Sequence, residues 1–285
     1  MVVVIVGCGN VGANLLQYIA NLSGVDKIWA VDVTDDHVEA AIMDVVGVEP
    51  QGARKICGTT SNLCLNEGDI VLFTAGVKIG PGETPKDAAR KNFTIVTQTL
   101  EGIQLKKSAI FITLPSPVDQ IATFIQRKTL LSPSQVIGFG GNLDLNRLVY
   151  TLESQGIDAT EAAIVGEHGP RTIPVYKTEE NYTAVAHKVR NFLANIGKLA
   201  GQKRNLATGS LLADLIRSVV QEKGDMHYVS GYHPDYGIYL TWPFHVGRYG
   251  AVDPLLMSLP PQAQREFDEL VEQKKVEAEN IKDGF

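Results

Sequence analysis

The chain has 285 residues, of which 44% are hydrophobic and 20% charged, and its formal net charge is −6. This length and composition allow a large apolar core in one long domain or two ordinary ones. The mild acidity argues against nucleic acid or an anionic membrane as a partner, and no run approaches the ~18 apolar residues of a membrane span. The three cysteines are an odd number without metal-ligand spacing, which favours reduced thiols in the cytoplasm and no metal.

The first dozen residues predict a nucleotide-binding turn. The apolar run 2–6 lacks a basic leader, so we interpret it as a buried strand and not as a signal peptide. It leads directly into Gly7-x-Gly9-x-x-Gly12, and apolar residues at helical spacing follow. Three glycines between a strand and a helix permit a tight turn, a close approach to a pyrophosphate and close packing, with the anion at the helix N-terminus.

An acidic residue completes this pattern. The predicted strand 27–31 ends at Asp32, twenty residues after Gly12. A carboxylate at that distance can bond the adenosine ribose hydroxyls and disfavours a ribose phosphate, so the predicted cofactor is NAD. Cys8 lies inside the turn, where we expect a small filling residue in preference to an oxidation-sensitive thiol.

Strands and helices then alternate. We predict strands at 69–75, 108–114 and 135–139 and helices at 86–105 and 118–128, and beyond them helices at 142–153, 181–200, 207–221 and 261–281 and strands at 162–165 and 238–243. The pattern indicates an α/β fold: a doubly wound parallel Rossmann sheet in an NAD-binding domain (1–140), followed by an α+β substrate domain (141–285).

Ligands of such sheets bind beyond the carboxyl ends of the strands. Besides the three glycines and Asp32, the residues expected at the cofactor are Asn10, Val11, Val33, Thr74, Ala75, Gly76 and Leu114.

Three polar residues of the second half are candidates for chemistry. Asp144 and Arg147 share one helix face at i, i+3 spacing, and His168 lies before a glycine at a strand end. Taken separately, an Asp–Arg pair is usually a surface ion pair, and a lone histidine usually has a structural role.

Together with their surroundings these residues resemble the lactate/malate dehydrogenase family. The motifs occur in the family's order from the glycine turn to Leu240-Thr-Trp-Pro243, and they are Ala75-Gly76, Pro117-Val-Asp119, Asn142-Leu-Asp-Leu-Asn-Arg147 and Val165-Gly-Glu-His-Gly169.

The resemblance implies interconversion of a 2-oxo acid and a 2-hydroxy acid. His168 would be the acid/base, since imidazole titrates near the working pH, and Asp144 would fix its tautomer. Arg147 would bind the substrate carboxylate through two parallel hydrogen bonds. Lys78 and Asn92 would lie near the cofactor.

The chain departs from the family in the loop after the third predicted strand. The family's Arg, which closes over the substrate and polarises its carbonyl, is replaced by Pro85, which has no donor; such a loss typically costs about 10²–10³ in rate. Lys86 could substitute, or it could be a solvated loop residue. Lys203, Arg204 and Arg171 are further candidates for the missing charge.

Three other departures concern substrate selection. Ser116 stands where the family has an Asn that touches cofactor and substrate, and Ile79 occupies the position that separates malate from lactate users. Gly231 is aligned to a position against the substrate side chain and would enlarge the pocket. We therefore predict a small carboxylate substrate with a larger apolar or specialised side chain, and not malate.

Two alternatives remain open at this point. Pro85 is compatible with an NAD-binding sensor or interaction protein with weak or no dehydrogenase activity. It is also compatible with hydride transfer to an imine or another carbonyl, because a charged iminium needs no polarising Arg. The family further implies a homo-oligomer, a dimer in preference to a tetramer, since the chain starts at its first strand without an arm.

Overall fold

The computed structural model describes residues 1–77, 84–201 and 206–281. The first half alternates strand and helix. Its elements are β1 (Val2–Val6), α1 (Asn10–Ile19), β2 (Lys27–Val31), α2 (Asp35–Val48), α3 (Pro50–Ala53), β3 (Ile56–Thr59), β4 (Ile70–Phe73), α4 (Pro85–Leu100), β5 (Ile110–Thr113), α5 (Val118–Lys128) and β6 (Val136–Gly138).

These six strands form a parallel sheet in the order β3-β2-β1-β4-β5-β6, the strand order of dinucleotide-binding sheets. β1 lies in the middle, and Val3, Val4 and Ile5 have no exposed surface. Helices cover both faces of a parallel sheet, so a central strand is apolar on both sides. The predicted α/β Rossmann fold is confirmed.

The second half extends the sheet with antiparallel strands. Its elements are α6 (Gly141–Glu153), β7 (Ala163–Gly166), β8 (Thr172–Val175), α7 (Tyr182–Ala200), α8 (Leu206–Val220), β9 (Asp225–His233), β10 (Ile238–Gly247), β11 (Gly250–Pro254) and α9 (Pro261–Asn280). The order continues β6-β9-β10-β7-β8, with β11 on β10. Because the sheet is continuous, the domain division at residue 140 stays a prediction. Among the described helices, none is both long and apolar enough to cross a bilayer.

Several elements differ from the sequence expectation. The helix predicted to reach residue 105 ends at Leu100, because Glu101 adopts an extended conformation. The sequence reading missed α2, α3, β3, β8, β9 and β11. β9 carries polar residues along its whole length, and it is a strand because it pairs with β10 over nine residues. Tertiary pairing of this kind overrides local propensity.

Candidate active site

The glycine turn provides an open cradle at the N-terminus of α1. A Cβ on Gly12 would lie 1.9 Å from the carbonyl oxygen of Gly7, so only glycine permits this close packing. A Cβ on Gly9 would meet no atom within 4 Å, and Gly9 and Asn10 are exposed. The backbone is therefore accessible to a pyrophosphate beside the positive end of the helix, and the turn fits a dinucleotide.

Asp32 lies directly beside this turn. Its carboxylate accepts hydrogen bonds from the backbone N–H of Cys8 (2.6 Å) and of Val33 (2.7 Å) and contacts Nδ1 of His37 at 3.2 Å. A carboxylate has about four acceptor sites, so capacity remains for a ribose hydroxyl. Burial and the charge of Asp32 raise the pKa of the Cys8 thiol to about 12, which keeps it protonated and unreactive.

Asn92 links the two loops that follow β4 and β5. Its Oδ1 accepts a hydrogen bond from the N–H of Val77 at 2.9 Å, and its Nδ2 donates to the carbonyl of Ser116 at 2.8 Å. The side chain is 4% exposed, whereas Ser116 is exposed. Asn92 thus fixes the loops that border the predicted nicotinamide side, and its own contact with the cofactor stays a prediction.

The structure brings His168 and Asp144 together. His168 follows the end of β7, Asp144 lies in the first turn of α6, and His168 Nδ1 is 2.5 Å from Asp144 Oδ2. Thr172 Oγ1 lies 3.1 Å from the same oxygen and 2.8 Å from the carbonyl oxygen of Glu167. The side chain of His168 is 19% exposed and that of Asp144 2%, so the carboxylate orients an imidazole that solvent or a ligand can still reach.

The pair favours the charged imidazolium. Burial by itself would lower the pKa of His168, but the charge of Asp144 and its hydrogen bond outweigh burial, and the pKa is raised. For Asp144, burial opposes ionisation, but the charge of His168, then that of Arg147, holds the pKa below its ordinary value. A histidine in this state can hold a proton near neutral pH and release it to a developing alkoxide.

Arg147 is held on the other side of the same carboxylate. Its Nη1 donates to Asp144 Oδ1 at 2.6 Å, and its guanidinium carbon lies 5.9 Å from the centre of the Phe192 ring. The side chain is 14% exposed. A guanidinium has five N–H donors, so Arg147 can keep its contact with Asp144 and present further donors to a substrate carboxylate.

Gly140 provides the space for the imidazole. A Cβ at this position would lie 2.2 Å from Cγ of His168, and the backbone φ of 156° with ψ of −32° is one that glycine favours. The sequence reading placed Gly140 only at a domain junction and missed this role.

Replacing Gly140 by alanine is therefore expected to lower turnover by at least about 10²-fold, because the new methyl group displaces His168 from Asp144. The measurement is kcat/KM with NADH affinity as a second readout. Gly156→Ala is the control, since Gly156 also has a positive φ but no atom within 4 Å of a Cβ. Unchanged turnover in Gly140→Ala would contradict the packing argument.

A hydrogen-bond network around the buried side chains of Ser218 and His227 fixes the start of α6. Asn142 Oδ1 accepts the N–H of Tyr228 at 2.7 Å, so its amide nitrogen faces Nδ1 of His227 at 2.9 Å. His227 Nδ1 is then an acceptor, and its Nε2 donates to Ser218 Oγ at 2.7 Å. Ser218 in turn donates to Asp225 at 3.0 Å. Because His227 donates its only ring proton to Ser218, the pair is not a nucleophile and base.

This network predicts a loss of stability in acid. Burial lowers the pKa of His227, although the charges of Asp225 and Asp214 oppose it. The unfolded chain therefore binds the proton first, and the free energy of unfolding falls as the pH drops below about 6.5. We expect His227→Gln to show a smaller drop in thermal unfolding midpoint between pH 7.5 and 5 than the wild type. An equal drop would contradict this assignment.

The loop between β4 and α4, in which the sequence departs from the family, is described only up to residue 77 and from residue 84 onward. Thr84 caps α4, reciprocally hydrogen-bonded with Asp87, and Pro85 is the first helical residue, where its missing N–H has no cost. Lys86 is exposed. The expectations for Lys78, Ile79, Lys203 and Arg204 lie outside the described residues.

Two expectations are corrected by the structure. Arg171 does not serve as a free replacement for the missing Arg, because its guanidinium forms ion pairs with Glu167 and Glu277. Gly231 does not open a cavity, because the Phe244 ring fills the space beside it, 2.7 Å from where a Cβ would lie. Among the described residues there is no cluster of His, Cys, Asp or Glu arranged to hold a metal.

The fold and the following comparisons identify an NAD-dependent oxidoreductase acting on CH–OH groups. The sequence model of "lactate/malate dehydrogenase, NAD binding domain" matches residues 1–138. The chain is 29% identical to a malate dehydrogenase of Bacteroides thetaiotaomicron (87% of each chain covered). It is 26% identical to L-lactate dehydrogenase A of Rhizopus oryzae (87% of this chain, 83% of the relative).

A solved structure of the minor L-lactate dehydrogenase of Enterococcus mundtii has the same fold, with a TM-score of 0.85, 23% identity and coverage of 99% and 98% of the two chains. The chain is thus similar over most of its length to lactate and malate dehydrogenases, and its residues 1–138 match their NAD-binding domain. It uses NAD and interconverts 2-hydroxy and 2-oxo acids.

Proposed function

We propose that this enzyme reduces a 2-oxo acid with an apolar side chain larger than a methyl group, through the residues His168, Asp144 and Arg147. The observation that carries the proposal is their contact: one buried carboxylate holds both the imidazole and the guanidinium. A degenerate site has no physical reason to keep all three groups in contact, because a buried carboxylate without function is a cost.

In this proposal each residue has a distinct task. Bound NADH supplies the hydride. Arg147 binds the substrate carboxylate and so decides which carbon faces the cofactor. His168 gives its Nε2 proton to the oxygen that becomes the hydroxyl. Asp144 stabilises the imidazolium before this proton transfer, and after it Asp144 holds the neutral ring in the tautomer that is protonated at Nδ1.

The substrate preference rests on two sequence positions. Ile79 replaces the residue that would pair with a second carboxylate, which disfavours oxaloacetate and malate. Pro85 begins α4 and offers no donor where the family has its loop Arg. A substrate that needs less polarisation of its carbonyl, or that contributes binding energy through a larger apolar side chain, therefore matches these two residues better than pyruvate does.

A panel of 2-oxo acids tests the proposal. NADH absorbance is followed with pyruvate, oxaloacetate, 2-oxobutyrate, 2-oxoisocaproate and phenylpyruvate at equal concentrations. We expect kcat/KM to be higher for the longer apolar acids than for pyruvate and lowest for oxaloacetate. If oxaloacetate is the best substrate, the proposed preference is wrong.

A second candidate function is an NAD-dependent sensor or a reductase of imines or other carbonyls, and the lack of a hydrogen-bond donor at Pro85 favours it. Tight NADH binding without turnover of any 2-oxo acid would support the sensor. Turnover with a cyclic imine but not with its ketone analogue would support the reductase.

We also propose a homo-oligomer, a dimer in preference to a tetramer, working in the cytoplasm, with a domain division at residue 140. Light scattering after size exclusion measures the mass directly against the 30.9 kDa of one chain. A monomer at micromolar concentration would contradict the oligomer, and it would leave the assignment of the site unchanged.

A further inference from the structure

A second group of charged side chains lies buried close to His168. Lys274 of α9 is 4% exposed and Asp119 of α5 is 3% exposed. The Lys274 ammonium forms an ion pair with Asp119 and a second one, at 3.1 Å, with Glu167. Glu167 directly precedes His168, so a cation from the C-terminal helix bridges α5 to the loop that carries the acid/base.

From Glu167 the ion pairs continue through Arg171 to Glu277, which is nearer the surface. Arg171 forms an ion pair with Glu167 and two hydrogen bonds, of 2.8 and 3.0 Å, with Glu277. Gln120 donates to Glu277 at 3.0 Å. The buried charge cluster is defined here as Asp119, Glu167, Arg171, Lys274 and Glu277.

The cluster has an imbalance of charge. Three carboxylates face two cations, so it carries one net negative charge when all groups are ionised. Within the described part of the chain, Oδ1 of Asp119 is buried and has no hydrogen-bond partner. A buried charge that hydrogen bonds do not fully compensate acts strongly on neighbouring groups, because the surroundings screen it poorly.

The cluster is connected to the acid/base through short links. The carbonyl of Glu167 lies 2.8 Å from Thr172 Oγ1, which also contacts Asp144, the partner of His168. The charged groups around His168 come from four sides: Asp144 and Arg147 of α6, Glu167 and Arg171 of the loop between β7 and β8, Asp119 of α5, and Lys274 and Glu277 of α9.

We propose that the buried charge cluster is a second counter-charge for His168, in which Asp119 and Lys274 act as positioning residues that set the pH at which His168 gains its proton. The idea rests on the proposed function only in assigning the acid/base role to His168. Burial and Asp144 are the largest influences on the pKa of His168, and the charge of Asp119 raises it further. Stability alone does not explain the cluster, because buried ion pairs often stabilise no more than apolar side chains of equal volume.

Paired substitutions separate charge from packing. Asp119→Asn removes one negative charge and leaves the cluster neutral. Asp119→Asn combined with Lys274→Met removes a carboxylate and a cation together, so the net charge of the wild type is retained without an unpaired buried ion. The readout is the pKa of His168 from NMR of the full chain labelled in its histidine rings, with the His168 signal assigned from His168→Gln.

We expect Asp119→Asn to lower the pKa of His168 by about one unit and the double variant to return it close to the wild-type value. On the alkaline side of the pH profile, where protonated His168 limits reduction, the single variant should be about tenfold slower. Equal pKa values in all three proteins, or equal shifts in both variants, would overturn the proposal, because packing and not charge would then be responsible.

A milder pair covers the case in which Asp119→Asn does not fold. Glu277, with 30% of its side chain exposed, is changed to Gln alone and together with Arg171→Gln. A lower pKa in Glu277→Gln that is restored in the double variant supports the proposal, and an unchanged pKa overturns it. Because NMR needs no substrate, the proposal can stand even if no 2-oxo acid turns over, and the proposed function can stand if the pKa values do not move.

Discussion

Replacing His168 by glutamine is expected to slow the NADH-dependent reduction of the best 2-oxo acid by about 10²–10⁴-fold, the range typical of a positioned general acid. NADH affinity should stay within about twofold, because the cradle at Gly9 and the carboxylate of Asp32 belong to other elements of the sheet. Stopped-flow turnover and NADH fluorescence titration measure the two quantities separately.

His187→Gln is the matched control, since His187 is exposed and lies on α7, a helix that carries neither His168 nor Asp144. It should leave both quantities at the wild-type level. An equal loss of turnover and NADH affinity in His168→Gln would mean that His168 supports the fold and performs no proton transfer.

Replacing Arg147 by methionine is expected to lower kcat/KM for 2-oxo acids by about 10²–10⁴-fold. Two hydrogen bonds to a substrate carboxylate are lost, and each such bond to a charged group contributes about 1.5–3 kcal/mol. Arg147→Lys keeps the charge but loses the planar fork, so its kcat/KM should lie between those of the wild type and Arg147→Met.

The substrate provides the control for this prediction. A methyl ester of the same 2-oxo acid lacks the carboxylate, so its slow reduction should be nearly equal in the wild type and in Arg147→Met. The rates are compared at the pH optimum of each protein, because Arg147 also contacts Asp144 and its loss raises the proton affinity of His168. A parallel loss with the ester would show that Arg147 only supports Asp144.

The sequence by itself determined the half of the molecule that depends on local patterns. Five apolar residues followed by Gly7, Gly9 and Gly12 specify a buried strand, a turn and a helix, because the steric requirements act within a dozen residues. Asp32 at the end of the next strand adds the cofactor preference. The ordered motifs around Asp144 and His168 predicted the chemistry only through their resemblance to a known family, because each of these residues alone is more typical of a structural role.

Only the tertiary structure decided which other groups act on that pair. Gly140 and Thr172 contact His168 and Asp144 from different segments, and Lys274 reaches Asp119 across 155 residues. Hydrophobic periodicity says which face of a helix is buried, but it carries no information on which distant charge the face will meet.

The same reason explains the two corrections. Arg171 was a candidate for a free charge at the substrate, and Glu277 of the last helix pairs with it. Gly231 was expected to widen a pocket, and the ring of Phe244 from the neighbouring strand fills the space. Spacing along the chain indicated the cofactor turn, and the family resemblance indicated the reacting residues. Contacts between residues far apart in the chain decided how much room and how much charge surround His168.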